Sequence, residues 1–260
     1  MNPDLPRIGI LAEEGCAVFS WASTRSAIAA SGAEMLFLIE RPTNRYRRRL
    51  RDLPARAAWR LLLNAECLLA GQRQPPFDPG QVMLLACRFK GHFKDFSDEE
   101  IARIKAADID LIIRLGGRGI YRGAMLTAAR HGIISIHHGD NRAFRGGPPG
   151  FWEIVEGAPR SGYIVQRLTS TLDGGEVLAR GDVVTAGYIG LNRKNLFAAA
   201  DEALCGVVEH FIAHRRLPDP EPPLHELGPI YKMPNLRALG RYCWKVWMRG
   251  ERRNARGDNV

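Results

Sequence analysis

Short apolar runs alternate with helical patterns along the first 140 residues. Residues 7–11 and 35–39 have the length and composition of buried strands, and residues 21–31 between them carry apolar and small side chains at helical spacing before Gly32. A strand, a helix and a second strand over about 35 residues are typical of a right-handed βαβ unit. The pattern therefore predicts an α/β fold with parallel strands at its centre.

The same alternation continues as far as residue 214. Further strands are predicted over 82–86, 111–115, 133–137 and 164–168, and further helices over 98–107, 125–131 and 196–214. Ser97 followed by Glu100 is a capping-box pattern at the start of the first of these helices. We therefore expect a doubly wound, mostly parallel sheet with helices on both faces.

Two segments depart from this alternation. Residues 41–80 contain an Arg-rich helical stretch and then a Pro-rich linker over 72–79, which indicates an insertion. The run LPDPEPP over 217–223 interrupts regular structure. The predicted organisation is therefore a main domain over 1–217 and a short, basic, helical tail over 218–260 that lies at the periphery.

The net charge of +9 is concentrated in two places. Residues 41–60 contain eight Arg and one Asp, and residues 231–256 contain eight Lys or Arg and one Glu, so each segment carries +7 and the rest of the chain carries −5. This distribution suggests contact with an anionic surface at two places, with solvated helix faces as the alternative. Because the body of the chain is mildly acidic, no nucleic-acid partner is expected.

The cysteines and the apolar runs favour a cytoplasmic protein. The five cysteines are widely scattered and never spaced as CxxC, which indicates reduced thiols and neither a metal site nor a disulfide framework. The sequence has no secretory signal pattern and no apolar run of the roughly 18–20 residues that a membrane span needs. The cysteines are Cys16, Cys67, Cys87, Cys205 and Cys243.

Residues 132–176 carry the chemistry. A predicted strand ends in His137 and His138, a glycine-rich loop and a short helix follow, and a second strand leads to the turn Asp173-Gly174-Gly175. Ligands of open α/β sheets bind outside the carboxyl ends of the strands, where His137 and Asp173 are both expected, so we expect them to converge. A histidine and a carboxylate in one cleft can share proton transfer.

This stretch resembles the folate-dependent formyltransferases, a family that acts on methionyl-tRNA, glycinamide ribonucleotide and amino sugars. The family pattern is Asn-x-His, a loop with Arg-Gly and Pro, a short helix and Asp-x-Gly. It is matched here by His137, Arg145-Gly146, Pro149, Gly157, Gly162, Leu172-Asp173 and Gly175. A closer resemblance is to variant formyltransferase-like modules with the signature S-x-HHGDNR…RGGPPGFWE. The resemblance implies the Rossmann-like formyltransferase fold over about residues 7–210 and 10-formyltetrahydrofolate as the formyl donor.

The resemblance also implies a catalytic role for three residues. Protonated His137 would donate to the oxyanion that forms when an amine attacks the formyl carbon, and Asp173 would orient His137 and help to take the amine proton. Ser135 stands where the family has Asn. Its hydroxyl can serve through a shifted pose or a water, His138 or Asn141 can replace the amide, or the site binds without turnover.

The remaining candidate residues each have a structural alternative. The segment after the fourth strand corresponds to the backbone that cradles the pterin in relatives, although a plain strand-to-helix turn has the same appearance. Its candidates for cofactor binding are Arg114, Leu115, Gly116, Gly117 and Ile120. His138, Asp140, Asn141 and Arg145 are candidates for substrate contact or for loop architecture.

The expected class of acceptor follows from two exclusions. Glu13 and Glu14 in the first strand-to-helix turn would repel a phosphate, which argues against a purine precursor. Only some 43 residues follow Leu217, fewer than the C-terminal barrel of the tRNA-specific enzymes requires. The expected acceptor is therefore a small-molecule or lipid-linked amine of an amino sugar or cell-envelope glycoconjugate. A formyltetrahydrofolate deformylase and a non-catalytic glycan-binding module are the alternatives.

The tail has the pattern of a basic amphipathic helix. Residues 236–248 combine Trp244 and Trp247 with cations that recur every four residues. Such a helix can lie on the inner membrane surface, dock on the body of the protein or contribute to a homodimer, and these alternatives stay open. The cations are Arg237, Arg241, Lys245 and Arg249.

Overall fold

The computed structural model describes residues 5–15, 21–44, 52–71 and 82–255, with side chains described as far as residue 248. The predictions that concern Cys16, the linker over 72–79, the side chain of Arg249 and the arginines between residues 45 and 51 lie outside the described residues.

An eight-stranded sheet forms the centre of the molecule, in the order β4-β3-β2-β1-β5-β6-β8-β9. Its strands are β1 (Arg7–Glu13), β2 (Glu34–Pro42), β3 (Val82–Lys90), β4 (Phe93–Asp95), β5 (Leu111–Arg114), β6 (Ile133–His137), β8 (Arg160–Arg167) and β9 (Glu176–Val184). The central strands β3, β2, β1, β5 and β6 are parallel, whereas β4, β8 and β9 run antiparallel to their neighbours. The predicted mostly parallel α/β fold is confirmed. Two short strands, β7 (Arg145–Gly146) and β10 (Ile230–Tyr231), pair separately.

In the described ranges, six α-helices accompany the strands. They are α1 (Ala22–Ser31), α2 (Leu53–Leu69), α3 (Asp98–Ala106), α4 (Phe151–Glu156), α5 (Ile189–His214) and α6 (Leu236–Ala255). The Ser97 hydroxyl accepts the Glu100 N–H at 3.3 Å, as the capping pattern predicts. The Glu100 carboxylate does not complete the box, because it accepts from Arg103 and from the Ala86 N–H instead.

One predicted helix is wrong. Residues 125–131 do not form an α-helix; a 3₁₀ turn over Gly123–Thr127 stands at that place. The reason lies in the backbone hydrogen bonds, since the N–H groups of Arg130 and His131 donate to the carbonyl oxygens of Ile109 and Asp110 before β5. Tertiary hydrogen bonding has therefore replaced the helical bonds that the apolar pattern suggested.

Apolar clusters cover both faces of the sheet, as in a doubly wound fold. One cluster joins β1, β5 and β6 to α1 and to the second half of α5 through side chains such as Ile28, Ile113 and Phe211. The other joins the opposite face to α3 and the 3₁₀ turn through Ile104 and Met125. Burial of both faces explains why the central strands are continuous apolar runs.

A third apolar cluster lies beside the sheet and includes the C-terminal tail. It contains Trp59 of α2, Phe151 of α4, Ile189 of α5 and Tyr242 of α6. The Tyr242 hydroxyl donates to the buried Glu66 carboxylate at 2.6 Å and accepts the Ile189 N–H at 2.7 Å. Helices α2 and α6 therefore share a core with the main domain. Within the described part of the chain, none of the helices is long and apolar enough to cross a lipid bilayer.

Candidate active site

His137 and Asp173 meet at the centre of the candidate site. His137 is the last residue of β6, and its Nδ1 lies 3.3 Å from Asp173 Oδ1. Both side chains are largely buried, so the pair is shielded from bulk solvent and its electrostatic interaction is strengthened. The structure therefore brings the two expected residues together.

The route by which Asp173 arrives differs from the expected one. Strand β8 is antiparallel to β6, with His137 opposite Ile164 and Ile134 opposite Arg167, so β8 ends about 10 Å from His137 along the sheet. The loop between β8 and β9 then folds back to place Asp173 against the histidine. The expectation that both residues sit at matching strand ends was wrong, because it assumed a parallel β8.

The backbone around Asp173 holds its carboxylate in place. Asp173 has a φ of +50°, in the left-handed region that Asp tolerates better than most residues, and its Oδ2 accepts the Gly146 N–H at 2.8 Å. Arg145 donates to the carbonyl oxygen of Leu172 at 2.6 Å and to that of Gly228 at 3.3 Å. Arg145 thus fixes the loop that carries Asp173 and does not itself face the pair.

The second nitrogen of His137 is also engaged. Its Nε2 lies 3.0 Å from the carbonyl oxygen of Phe144 in the loop that follows β6. A carbonyl oxygen only accepts, so this hydrogen bond places an N–H on Nε2, while Nδ1 faces the Asp173 carboxylate. A Cβ on Gly139 would lie 2.4 Å from the Phe144 oxygen and 2.7 Å from Nε2, so this close approach requires glycine.

Ser135 shares the face of β6 with His137 but its hydroxyl is directed to the backbone. The Oγ lies 3.3 Å from the carbonyl oxygens of Arg114 and Ile136, and the side chain is buried. A hydroxyl has a single proton to donate, so a donor role towards an oxyanion would require these contacts to be exchanged. Its assignment as a catalytic residue stays a prediction.

His138 points to the other side of the strand end. Its ring packs against Phe197 of α5 with the centroids 4.2 Å apart. Burial lowers the pKa of the imidazole well below its usual value, and the nearby His137 and Arg193 lower it further. His138 is therefore a neutral, packed ring in this arrangement.

Asp140 and Asn141 connect the loop to β9 and to the tail. Arg180 donates to Asp140 Oδ1 at 2.7 Å and to Asn141 Oδ1 at 3.0 Å, and it also pairs with Glu221 of the tail. Burial opposes ionisation of Asp140, but hydrogen bonds from Arg142 and the charge of Arg180 outweigh it and lower the pKa of the carboxyl. These contacts show that both residues have an architectural role.

The segment expected to cradle a pterin is held together from within. Arg114 donates to the carbonyl oxygens of Gly117 and Gly119 at 3.0 and 3.1 Å, and its guanidinium lies over the Tyr121 ring. The N–H groups of Leu115 and Ile120 donate to Leu11 and His92. Gly116 lies between them, in the turn after β5. Cofactor binding by this turn stays a prediction.

A buried ionic cluster next to this turn was not predicted. Lys94 Nζ lies 2.8 Å from both Glu13 Oε2 and Glu40 Oε2, and all three side chains are inaccessible to solvent. Burial opposes the charge of Glu13, but hydrogen bonds from Lys94 and Arg118 outweigh it and lower the pKa of its carboxyl to about 2. Carboxylates at the ends of two otherwise apolar strands were the available sequence signal, because a buried charge requires a partner.

This cluster corrects the sequence argument about Glu13 and Glu14. Glu13 is neutralised inside the protein, and Glu14 forms a bidentate pair with Arg41 at 2.7 and 2.9 Å. Neither carboxylate is an isolated negative charge that faces a ligand. Their presence therefore no longer argues against a phosphate-bearing acceptor.

Glu153 is a second titratable group that the sequence did not single out. It lies in α4, is almost fully buried, and lines a small cavity with His138, Gly146, Trp152 and Tyr231. Burial raises the pKa of its carboxyl to about 7. A roomier cleft of about 660 Å³ lies at the opposite end of β6, around Gly132 and Leu168, and is remote from the histidine–aspartate pair.

Sequence comparison finds relatives for about a third of the chain. No protein-family model matches it. Over 87 residues the chain is 34% identical to the methionyl-tRNA formyltransferase of Rickettsia prowazekii (strain Madrid E), which covers 34% of this chain and 29% of that enzyme. Over 85 residues it is 28% identical to the corresponding enzyme of Bacillus thuringiensis (strain Al Hakam), covering 33% and 27%. The matches thus span less than a third of the length of these relatives.

Structure comparison extends the likeness over nearly the whole chain. A sugar N-formyltransferase from a Shewanella species superposes with a TM-score of 0.54 at 12% identity, covering 92% of this chain and 87% of that one. Glycinamide ribonucleotide transformylase 1 from Symbiobacterium toebii gives 0.52 at 18% identity, with 85% and 96% covered. At such identities the likeness concerns the fold. The chain therefore has the fold of the folate-dependent formyltransferases and resembles that family in sequence over a third of its length.

Proposed function

We propose that this chain transfers a formyl group from 10-formyltetrahydrofolate to the amine of an amino sugar or of a cell-envelope glycoconjugate. The observation that carries the proposal is the buried pair of His137 and Asp173, with Nδ1 and Oδ1 3.3 Å apart. A positioned histidine beside a carboxylate is suited to acyl transfer to an amine, since it supplies a donor for the developing oxyanion and an acceptor for the amine proton.

His137 is the proposed donor to the oxyanion. Asp173 holds Nδ1, so Nε2 is the nitrogen that can turn to a ligand, and it now faces the Phe144 carbonyl at 3.0 Å. Exchange of that carbonyl for the formyl oxygen of the donor would place a cationic N–H where negative charge develops. A group that prefers a negatively charged acceptor over a neutral one stabilises the transition state more than the ground state.

Asp173 is the proposed acceptor for the amine proton. Its Oδ2 already accepts the Gly146 N–H and its Oδ1 faces His137, so the carboxylate is fixed on two sides. It can take the proton directly or through a water and pass it to N10 of the donor as the bond between N10 and the formyl carbon breaks, so that tetrahydrofolate leaves. Ser135 is not required in this scheme.

The sugar acceptor is supported by the fold comparison. The structural neighbours include the sugar N-formyltransferase from Shewanella and a sugar 3N-formyltransferase whose structure was determined in the presence of dTDP and 5-N-formyltetrahydrofolate. A hydrolase is the second candidate, because a formyltetrahydrofolate deformylase from Pseudomonas syringae has the same fold, with a TM-score of 0.50 at 13% identity over 81% of this chain and 62% of that one. Water would then replace the amine at the same site.

The experiment is a folate-release assay. Purified protein is incubated with 10-formyltetrahydrofolate, with and without a panel of nucleotide-linked and lipid-linked amino sugars, and tetrahydrofolate and formylated product are measured. Release that depends on an acceptor is the expected result. Release without an acceptor identifies a hydrolase, and the absence of both release and donor binding refutes both enzymatic functions in favour of a glycan-binding module.

Matched variants test the assigned residues. His137→Ala should lower the transfer rate by roughly 10²–10³, the usual effect of losing one oxyanion donor. His214→Gln, at an exposed histidine at the end of α5, should leave the rate unchanged. Asp173→Asn keeps an acceptor for Gly146 and tolerates the left-handed backbone, so a slower reaction in this variant would come from the lost charge. Full activity in His137→Ala would refute the mechanism even if the reaction is correct.

A further inference from the structure

Helices α2 and α6 present apolar side chains on the faces that point away from their shared core. On α2 the core-facing residues include Trp59 and Glu66, whereas Leu61 and Leu68 on the opposite face are 73% and 79% exposed. On α6 the core-facing residues include Tyr242, whereas Trp244 and Trp247 are 60% and 51% exposed. Exposed residues of this size on two adjoining helices exceed the single apolar residues that are usual on a protein surface.

The exposed tryptophans form a preorganised unit. Their rings stack with the centroids 4.9 Å apart, one helical turn from each other on α6. The helix itself is fixed, because Tyr242 reaches the Glu66 carboxylate of α2 at 2.6 Å and is inaccessible to solvent. The tryptophans are therefore held on the solvent-facing side of α6. We call these two residues and the exposed Leu61 and Leu68 of α2 the two-helix surface.

The two helices also carry cations. Arg60 and Arg237 are exposed on α2 and α6, and Lys245 is half-buried on α6. Helix α6 contains six Lys or Arg and one Glu, whereas helix α2 contains two Arg and one Glu. The positive charge of this surface therefore lies mainly on α6, the helix that carries both exposed tryptophans.

We propose that the two-helix surface binds the face of an anionic lipid bilayer. Tryptophan prefers the boundary between headgroups and acyl chains, leucines enter the upper acyl region, and Lys and Arg pair with anionic headgroups, so the surface has all three components of an interfacial contact. A second copy of the chain fits less well, because a two-fold contact would bring each basic segment against itself. The inference does not depend on the formyl-transfer proposal, since the contact can be measured without catalysis.

Vesicle sedimentation tests the inference. The full chain is mixed with vesicles of phosphatidylcholine alone and of phosphatidylcholine with about 30% phosphatidylglycerol, at low and high salt. We expect binding to the anionic vesicles that weakens at high salt, since surface charges are screened within about 10 Å at 0.1 M salt. Equal binding to both lipids, or binding to neither, would overturn the proposal.

Paired variants distinguish binding through this surface from nonspecific binding to vesicles. Trp244→Ser with Trp247→Ser should weaken vesicle binding about tenfold or more, and Arg237→Glu with Lys245→Glu should do the same. The controls are Val184→Ser, at an exposed apolar residue of β9, and Lys105→Glu, at an exposed cation of α3. Circular dichroism and urea unfolding check that each variant is folded. An equal loss in the controls, or a loss of self-association without a loss of vesicle binding, would contradict the proposal.

Discussion

At the scale of single residues, Glu153 makes the free energy of unfolding depend on pH. Burial raises the pKa of its carboxyl from 4.5 to about 7 in the folded protein. Between these values the folded state binds more protons than the unfolded state, so this group's contribution to stability is present below about pH 4.5 and is lost as the pH rises through 7. The ionised carboxylate is then buried beside His138 and Trp152.

Glu153→Gln removes this dependence. The difference in the free energy of unfolding between the variant and the unmodified protein should increase in favour of the variant by up to about 3 kcal/mol as the pH rises from about 4 to about 8. The reason is that the amide does not ionise. Urea unfolding at the two pH values measures the difference. Glu99→Gln, at an exposed residue of α3, is the control and should show no comparable change. A Glu153→Gln difference that is independent of pH would refute the assignment.

The residues of the pair could be predicted from sequence, whereas their neighbours could not. His137 and Asp173 follow from a pattern of fixed offsets over about 40 positions, and the structure places them 3.3 Å apart. The partners of Glu13 could not be predicted, because Lys94 lies 81 positions away in the chain and reaches the carboxylate only through the sheet. The local sequence pattern indicates which face of a strand or helix a residue occupies. The pairing of charges that lie far apart in the chain depends on which strands are neighbours in the sheet.

At the scale of elements, the C-terminal tail packs against the loop that follows β6 and contacts His137. Strand β10 pairs with β7, the Gly228 N–H donates to the carbonyl oxygen of Asn141, and the ring of Tyr231 stacks on Phe144 with the centroids 5.3 Å apart. Phe144 is the residue whose carbonyl oxygen faces Nε2 of His137. The tail thus positions the loop that, in the proposed mechanism, moves when a ligand replaces that carbonyl.

Tyr231→Ala tests this positioning role. Loss of the stack on Phe144 and of the contact with Trp152 should loosen the loop and lower kcat about tenfold or more, since small misplacements near the reacting atoms are costly. The KM for the donor should change less. Met233→Ala, at an exposed residue of the same segment, should leave both constants unchanged. Equal effects in the two variants, or a change in KM alone, would contradict the positioning role.

The sequence pattern predicted the bounds of elements well where local features, such as the apolar faces of a strand, determine them. Strands β1 and β2 and helix α1 lie close to the expected bounds, because apolar faces and Gly32, with a φ of +76°, determine them locally. The antiparallel course of β8 and the 3₁₀ turn over Gly123–Thr127 depend on hydrogen bonds to distant backbone groups. An apolar pattern does not encode these partners, so the direction of β8 and the type of this helix could not be read from it.

At the scale of the whole molecule, the tail contributes to the fold of the rest of the chain. The predicted boundary at residue 217 separates a main domain from a peripheral tail, yet Ala238, Leu239 and Tyr242 of α6 are buried in the cluster that contains Trp59 and Phe151. Helix α2 also approaches α5 so closely that a Cβ on Gly190 would lie 2.0 Å from the Glu66 carbonyl oxygen. The organisation that these contacts favour is one cooperative unit.

Tyr242→Phe measures how strongly the tail is coupled to that unit. The variant keeps the buried ring but leaves the Glu66 carboxylate and the Ile189 N–H without the hydroxyl that now joins them, so unfolding should become easier by about 1–3 kcal/mol. Tyr188→Phe, at the half-buried residue before α5, removes a matched hydroxyl and should cost less. Urea unfolding followed by both tryptophan fluorescence and circular dichroism tests cooperativity, because a peripheral tail would melt first and give two separate transitions, whereas a shared core gives one.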